Sequence, residues 1–187
     1  INQIVKKKIS WKKIKAETQS VWAGETQLFP HGSTQSPTVN SVAYAYDDLD
    51  EWVKVSKGEK SGHIYGRNSN PTLDVLEEKI RILEGAEAAT SFSSGMAAIS
   101  NTLFANLKPG DKVVTGKDTY GGTSKIFLEF LPQYDIQVRL CDTTDHDLIE
   151  KEVLNGCQLL YLETPTNPTL KIQDIKRLSS IGKKVDA

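Results

Sequence analysis

The sequence predicts an α/β fold, in which a mostly parallel sheet carries helices on both faces. The alternation of predicted elements indicates this class, and the length of the chain permits it. From about residue 70 onward, short apolar runs typical of strands alternate with segments of helical periodicity, and this alternation is typical of parallel sheets covered on both sides. The chain of 187 residues, 38% of them hydrophobic and 25% charged, is also long enough to bury one sizeable core.

The clearest single element is a helix that begins at Pro71. Asn70 is placed to cap it, and proline suits the first helical position, where its missing N–H has no intrahelical partner. Apolar residues then recur at spacings of three and four, and Gly85 is well placed to end the helix. The recurring residues are Leu73, Leu76, Ile80 and Leu83.

The segments on either side of this helix differ in character. After it, the sequence predicts strands at 88–93, 112–115, 136–141 and 158–162, and helices at 96–107, 124–131, 145–154 and 173–181. Before it, residues 16–64 contain scattered turn signals and one short predicted helix at 49–55, which is poor material for an independent core. We therefore predict an N-terminal arm and oligomerisation segment over 1–64 and an α/β domain over 65–187.

Charge and composition argue against several classes of partner. The formal net charge of −1 favours neither nucleic acid nor an anionic membrane surface. No apolar run approaches the ~20 residues that a membrane span requires. Cys141 and Cys157 lack paired spacing, which argues against a disulfide framework and favours a reducing, cytoplasmic compartment. The three histidines, His31, His63 and His146, are scattered and predict no metal site.

The turn that precedes the helix at 96–107 is a candidate phosphate site. Open α/β sheets bind ligands beyond the carboxyl ends of their strands, and free N–H groups at Gly95 and Met96, together with the helix dipole, would suit an anion. Ser94 followed by a small residue is also a common helix cap, so this turn alone leaves both interpretations open. The absence of a Walker lysine and of Gly-x-Gly-x-x-Gly disfavours nucleoside triphosphates and dinucleotides.

Three further segments display polar or aromatic side chains. Tyr120 precedes two glycines and could stack on a planar heterocycle or merely cover its loop. Glu163 and Asn167 stand beside prolines that fix the backbone. Tyr65 and Arg67 could bind a phosphate through a hydroxyl and a guanidinium, although a surface turn before a helix explains them equally.

In order along the chain, the strings YGRNSNPT, SSGMAA, DTYGGT and ETPTNP resemble the Cys/Met metabolism family of fold-type I pyridoxal-phosphate enzymes. These are the transsulfuration enzymes: cystathionine γ-synthase, cystathionine γ-lyase and their sulfhydrylase relatives. The resemblance runs from about Gly62 to the end of the chain. It implies that residues 65–187 are an incomplete large domain of this fold, with pyridoxal 5'-phosphate as cofactor and a small amino acid as substrate.

The resemblance also implies how the cofactor is bound. Gly95 and Met96 match the backbone donors to its phosphate, with Ser94 beside them. Tyr120 matches the residue that stacks on the pyridine ring, and it is the expected catalytic residue because it also assists proton transfer.

Four other residues match positions around the same cofactor. Asn167 matches the residue near the ring hydroxyl, and Glu163 the acid at the pocket wall. Tyr65 and Arg67 match a pair that reaches the phosphate of a neighbouring subunit. The resemblance therefore implies a homo-oligomer, a tetramer built from dimers that share active sites.

The chain departs from the family pattern near its end. None of its lysines stands in the context of the lysine that binds the cofactor covalently. The string Val185-Asp186 is followed by Ala187, so we interpret Asp186 as a residue at a helix end and not as the aspartate on the pyridinium nitrogen. We therefore expect an N-terminal fragment that is inactive alone.

Several reactions remain open within the family. We expect the full-length protein to perform γ-replacement on an activated homoserine to give cystathionine; cystathionine γ-lyase and O-acylhomoserine sulfhydrylase are the alternatives. Methionine γ-lyases typically have a cysteine in the string that here reads YGGTS, and this chain has none. A non-catalytic truncated chain that only associates with full-length subunits is an alternative of another class.

Overall fold

The computed structural model describes residues 9–25 and 29–187. The chain divides into two compact units, and the boundary along the sequence falls between Ser91 and Phe92. This division lies later than the boundary predicted after residue 64, because the helix predicted at Pro71 packs within the first unit. The roles of 1–64 as an arm and 65–187 as a domain stay predictions.

The described residues of the first unit form three α-helices: α1 (Ala16–Trp22), α2 (Leu49–Ser56) and α3 (Pro71–Leu83). The predicted start of α3 is confirmed, since the side chain of Asn70 accepts a hydrogen bond of 2.8 Å from the N–H of Thr72. Gly85 follows the helix with a φ of +64°, a conformation that glycine adopts without strain.

Helix α3 packs on α1, which the sequence did not predict. Its buried side chains are Val75 and Ile82, whereas the periodic residues that indicated the helix, Leu73, Leu76, Ile80 and Leu83, are 40–47% exposed. The periodicity thus predicted the element correctly but not the side that is buried.

The predicted strand at 88–93 is wrong. This segment has irregular backbone conformation, and the N–H of Ser91 donates to Glu77 Oε1 at 2.7 Å instead of to a neighbouring strand. A strand needs a partner, and none of the strands in the described residues pairs with this segment.

The second unit alternates strands and helices as predicted. Its elements are α4 (Gly95–Asn106), β1 (Lys112–Gly116), α5 (Gly121–Lys125), β2 (Gln137–Cys141), α6 (His146–Leu154), β3 (Leu159–Tyr161) and α7 (Ile175–Gly182). Their bounds lie within about two residues of the predicted ones except at α5, which begins three residues early. Helix α5 continues through a π-helical turn at Ile126–Phe130 and a 3₁₀ turn at Leu131–Tyr134.

The three strands form one parallel sheet in the order β2-β1-β3. Val113 pairs with Val138 on one side and with Leu159 on the other. All three strands therefore end at the same edge of the sheet, where ligands of open α/β sheets bind.

Consecutive residues of β1 anchor a hydrophobic core on each face of the sheet, since side chains alternate along a strand. On one face Val113 packs with Leu103, Ile126, Phe127, Leu131 and Ile136. On the other face Val114 packs with Cys141, Ile149, Val153, Cys157, Leu178 and Ile181. Helices cover both faces, which confirms the predicted α/β class.

The second of these cores contains both cysteines as free thiols. Burial raises the pKa of the Cys141 and Cys157 thiols above the ordinary value. Within the described residues, no helix is both long and apolar enough to cross a membrane.

Two residues of α6 provide a matched test of this core. Ile149 is fully buried and Leu154 is 48% exposed. We expect Ile149→Ala to lower the free energy of unfolding by about 2–5 kcal/mol because it leaves a cavity, and Leu154→Ala by about 0.5 kcal/mol or less. Denaturant unfolding measures both; equal losses would contradict the assignment of α6 to this core.

Candidate active site

The N-terminus of α4 leaves two backbone donors free. Ser94 caps the helix, with its Oγ accepting from the N–H of Ala97 at 3.1 Å and its carbonyl oxygen from that of Ala98 at 3.0 Å. The N–H groups of Gly95 and Met96 have no acceptor among the described residues. Free N–H groups at the positive end of a helix dipole suit an anion.

These donors adjoin a cavity of about 500 Å³, a volume typical of small-molecule sites. A Cβ added at Gly95 would meet no atom within 4 Å, so the approach to its backbone is open. The lining residues are Ser94, Gly95, Met96, Ile99, Tyr120, Tyr161 and Glu163. Five of the eight predicted cofactor-binding residues thus line one cavity, and none of the lining residues is a lysine.

Glu163 connects the loop after β1 with the loop after β3. Its Oε1 accepts from the backbone N–H of Tyr120 at 2.9 Å, and its own N–H donates to Gln173 Oε1 at 3.1 Å. This contact holds the backbone of Tyr120. The side chain of Tyr120 is half exposed at the cavity, where a planar ligand can reach the ring.

Tyr161 is a lining residue that the sequence did not indicate. Its hydroxyl donates to Glu163 Oε2 at 3.4 Å, and its ring packs edge-on against Phe127 with centroids 5.2 Å apart. Burial, with a further contribution from the charge of Glu163, raises the pKa of the Tyr161 hydroxyl, which keeps it protonated and able to donate. Its position inside a strand gave no signal of a role at the edge of the sheet.

Gly122 allows two walls of the cavity to approach closely. A Cβ at this position would lie 2.9 Å from Met96 Sδ and 3.0 Å from Tyr120 Cε1. Any side chain here would therefore have to displace one of two cavity-lining residues.

A polar cluster joins the loops that follow all three strands. We name it the Asp118 cluster; it consists of Asp118, Thr143, Thr169 and Lys171. Asp118 Oδ2 accepts from Thr143 Oγ1 at 2.7 Å and from Lys171 Nζ at 2.9 Å. Thr169 Oγ1 donates to Asp118 Oδ1 at 3.4 Å. The hydrogen bonds from Thr143 and Lys171 lower the pKa of the Asp118 carboxyl.

Three predicted site residues do not line this cavity. Asn167 is exposed on the loop after β3. Tyr65 and Arg67 belong to the first unit, where the guanidinium carbon of Arg67 lies 4.9 Å from the centre of the Tyr65 ring. Their roles stay predictions. In the part of the chain that the structure describes, no group of three or more potential metal ligands occurs.

Comparison with known proteins decides the family. Residues 17–187 match the model of the Cys/Met metabolism PLP-dependent enzymes. The chain belongs to this family. The match begins well before Gly62, where the resemblance in motifs began, and it confirms pyridoxal phosphate as the cofactor of the family.

Curated relatives of this family member include several lyases. An L-methionine gamma-lyase of Fusobacterium nucleatum subsp. polymorphum is 38% identical over 91% of this chain and 43% of its own length. The cystathionine beta-lyase MetC of Bacillus subtilis is 36% identical over 87% of this chain and 42% of its own length. The chain thus spans about two fifths of the length of these relatives.

Solved structures confirm the fold-type I architecture. The structure of metB from Corynebacterium glutamicum matches with a TM-score of 0.82 and 30% identity, over 96% of this chain and 45% of that one. A Campylobacter jejuni protein assigned as an O-acetylhomoserine (thiol)-lyase matches with a TM-score of 0.83 and 30% identity, over 91% and 42% of the two chains. The latter structure holds N'-pyridoxyl-lysine-5'-monophosphate.

Pyridoxal phosphate fits the chemistry of the cavity in this family member. A phosphate needs hydrogen-bond donors, which the free N–H groups of Gly95 and Met96 supply. A planar pyridine needs an exposed aromatic face, which Tyr120 offers at the same cavity.

The lowered pKa of Asp118 predicts a pH-dependent contribution to stability. A carboxyl whose pKa is depressed by folding stabilises the protein above the pKa of the unfolded chain, about 3.9 for Asp. This contribution is lost as the pH falls through the lower folded value. We therefore expect the difference in free energy of unfolding between the wild type and Asp118→Asn to be largest at neutral pH and to shrink below about pH 4. Urea unfolding between pH 7 and pH 3 measures it, and a constant difference would contradict the prediction.

Proposed function

We propose that the cavity of the second unit binds pyridoxal phosphate, with the phosphate at the N-terminus of α4 and the ring at Tyr120. The strongest support is that the two free N–H groups and the exposed ring of Tyr120 adjoin the same cavity of about 500 Å³. When bound, the cofactor supplies an electron sink for reactions at amino-acid carbons.

In this proposal each residue has a separate task. Gly95 and Met96 bind the phosphate through their backbone N–H groups, and Ser94 keeps the start of α4 in place. Tyr120 holds the pyridine ring and assists proton transfer, while Glu163 fixes the backbone of Tyr120. For Asn167 we propose a contact with the ring hydroxyl.

We propose that Tyr65 and Arg67 complete the site of a neighbouring subunit. The guanidinium of Arg67 can bind a phosphate through two parallel hydrogen bonds, and both side chains are exposed in the first unit. The segment 1–64 would then serve as an arm in a homo-oligomer, a tetramer built from dimers that share active sites.

For the full-length protein we propose γ-replacement on an activated homoserine. A cysteine thiol forms the new C–S bond at Cγ, the bond between Cγ and the acyloxy oxygen breaks, and a carboxylate leaves while the thiol proton passes to solvent. The product is cystathionine. The string YGGTS contains no cysteine, which supports a distinction from the methionine γ-lyases that have one there.

A second candidate reaction is γ-elimination. It is favoured by the relatives named L-methionine gamma-lyase, at 32–38% identity, and by a cystathionine gamma-lyase of Bacillus subtilis at 34%. An O-acylhomoserine sulfhydrylase would use the same site with an inorganic sulfide as nucleophile.

We further propose that these 187 residues do not turn over substrate alone, because no lysine lines the cavity. A truncated chain that associates only with full-length subunits would share this property. Stoichiometric retention of the cofactor on the chain after borohydride reduction and denaturation, detected by mass spectrometry, would contradict this part of the proposal.

Variants of Ser94 test the position of the phosphate. Aspartate caps helices as well as serine does, but its charge would repel the phosphate. We therefore expect Ser94→Asp to preserve the thermal midpoint and to weaken pyridoxal-phosphate binding at least about tenfold, equivalent to about 1.4 kcal/mol. Ser94→Thr is the matched control that keeps a neutral cap, and equilibrium dialysis measures the affinities. Equal affinity of both variants would contradict a phosphate at this helix.

Substrate assays on the full-length protein test the reaction. We expect an acylated homoserine with cysteine to give cystathionine faster than methionine or cystathionine alone gives an α-keto acid, because γ-replacement is the proposed main reaction. Liquid chromatography of the amino acids and a keto-acid assay measure the two rates. Dominant release of keto acid from methionine or cystathionine would instead show a γ-lyase.

A further inference from the structure

Lys171 and Asp118 form a partly buried ion pair between two loops. Lys171 Nζ lies 2.9 Å from Asp118 Oδ2, with side chains that are 30% and 15% exposed. The two residues are 53 positions apart, so their contact connects the loop after β1 with the loop after β3. Neither residue lines the cavity of the proposed cofactor site.

Hydrogen bonds from the backbone N–H groups hold each residue of this ion pair in place. The N–H of Lys171 donates to Thr166 Oγ1 at 2.9 Å, and the N–H of Thr166 donates to the carbonyl of Lys171 at 3.0 Å. These two bonds close the turn that contains Asn167. On the other side, the N–H of Asp118 donates to Thr143 Oγ1 at 3.1 Å.

The ion pair thus joins the turn of Asn167 to the segment that ends in Tyr120, which follows Asp118 by two residues. An isolated surface ion pair contributes about 0–1 kcal/mol. This pair is partly buried and shares Asp118 with two threonine hydroxyls, and removing one member of such a network costs more than breaking an isolated pair.

We propose that Lys171 is a positioning residue for the cofactor site, where its ion pair with Asp118 fixes the turn of Asn167 relative to the loop of Tyr120. This inference rests on the proposed function of the cavity. Lys171 acts through the two loops and does not itself touch the cofactor. Its ammonium group is already bound to a carboxylate, which distinguishes it from a lysine available for covalent chemistry.

The test compares variants of the full-length protein in two measurements. Hydrogen–deuterium exchange of the protein without cofactor reports on peptides spanning 117–123 and 163–171, and a fluorescence titration with pyridoxal phosphate reports its affinity. The variants are Lys171→Met, which keeps the aliphatic stem, Lys171→Arg, which keeps the charge, Asp118→Asn and the double variant Lys171→Met/Asp118→Asn. Lys176→Met, at an exposed position of α7, is the matched control.

We expect Lys171→Met to speed exchange in both peptides and to weaken cofactor binding about tenfold, the order expected for a coupled contact network. Lys171→Arg and Lys176→Met should stay within about twofold of the wild type, a difference too small to indicate coupling. The double variant should be no weaker than Lys171→Met, since both changes remove the same ion pair.

Three results would overturn the inference: faster exchange in 163–171 alone, unchanged affinity in Lys171→Met, or additive losses in the double variant. If Lys171→Met does not fold, the same comparison is made with Asp118→Asn, for which unchanged exchange in 163–171 would also overturn it. Failure of the wild type to bind pyridoxal phosphate would instead contradict the proposed function, and the exchange measurement without cofactor would still decide whether the ion pair couples the two loops.

Discussion

The parallel pairing of β1 with β2 and β3 is the constraint on which the site depends. Parallel strands end at one edge, so the loops that follow them are brought together although they are far apart in sequence. Asp118 and Tyr120 follow β1, Thr143 follows β2, and Glu163 follows β3. The pairing itself is stabilised by cores on both faces, one around Val113 and its neighbours and one around Val114. Loss of either core would therefore disturb the cavity without any change in the residues that line it.

Parallel pairing alone places the loops only approximately, and side chains complete the arrangement. Glu163 fixes the backbone of Tyr120, and the Asp118 cluster joins all three loops at a second point. The N-terminus of α4 adjoins the same cavity as Tyr120 and Glu163, and its free N–H groups come from a helix that packs on the sheet through Leu103. The charged group and the aromatic ring of one ligand can thus be bound by elements whose positions the hydrophobic core determines. This division between core and loops is why one fold can support elimination and replacement reactions alike.

Local signals in the sequence predicted the features that are local in the structure. The cap at Asn70, the turn at Gly85 and the cap at Ser94 each involve groups only a few residues apart. The strand predicted at 88–93 was wrong because composition indicates an extended segment but does not provide its partner. Tyr161 and Lys171 were missed for a related reason. Their roles depend on contacts across the edge of the sheet, and a tyrosine inside a strand or a lysine after a turn is ordinary in isolation.

The resemblance in motifs predicted the family, and five of the seven residues that line the cavity were among those it named. It did not predict the contacts between loops, because these join residues that are far apart in the sequence. The most direct test of this account is a crystal structure of the full-length protein with pyridoxal phosphate. We expect the phosphate within hydrogen-bond distance of the N–H groups of Gly95 and Met96, with the pyridine ring against Tyr120. A phosphate bound elsewhere, with these two N–H groups bonded to water, would contradict it.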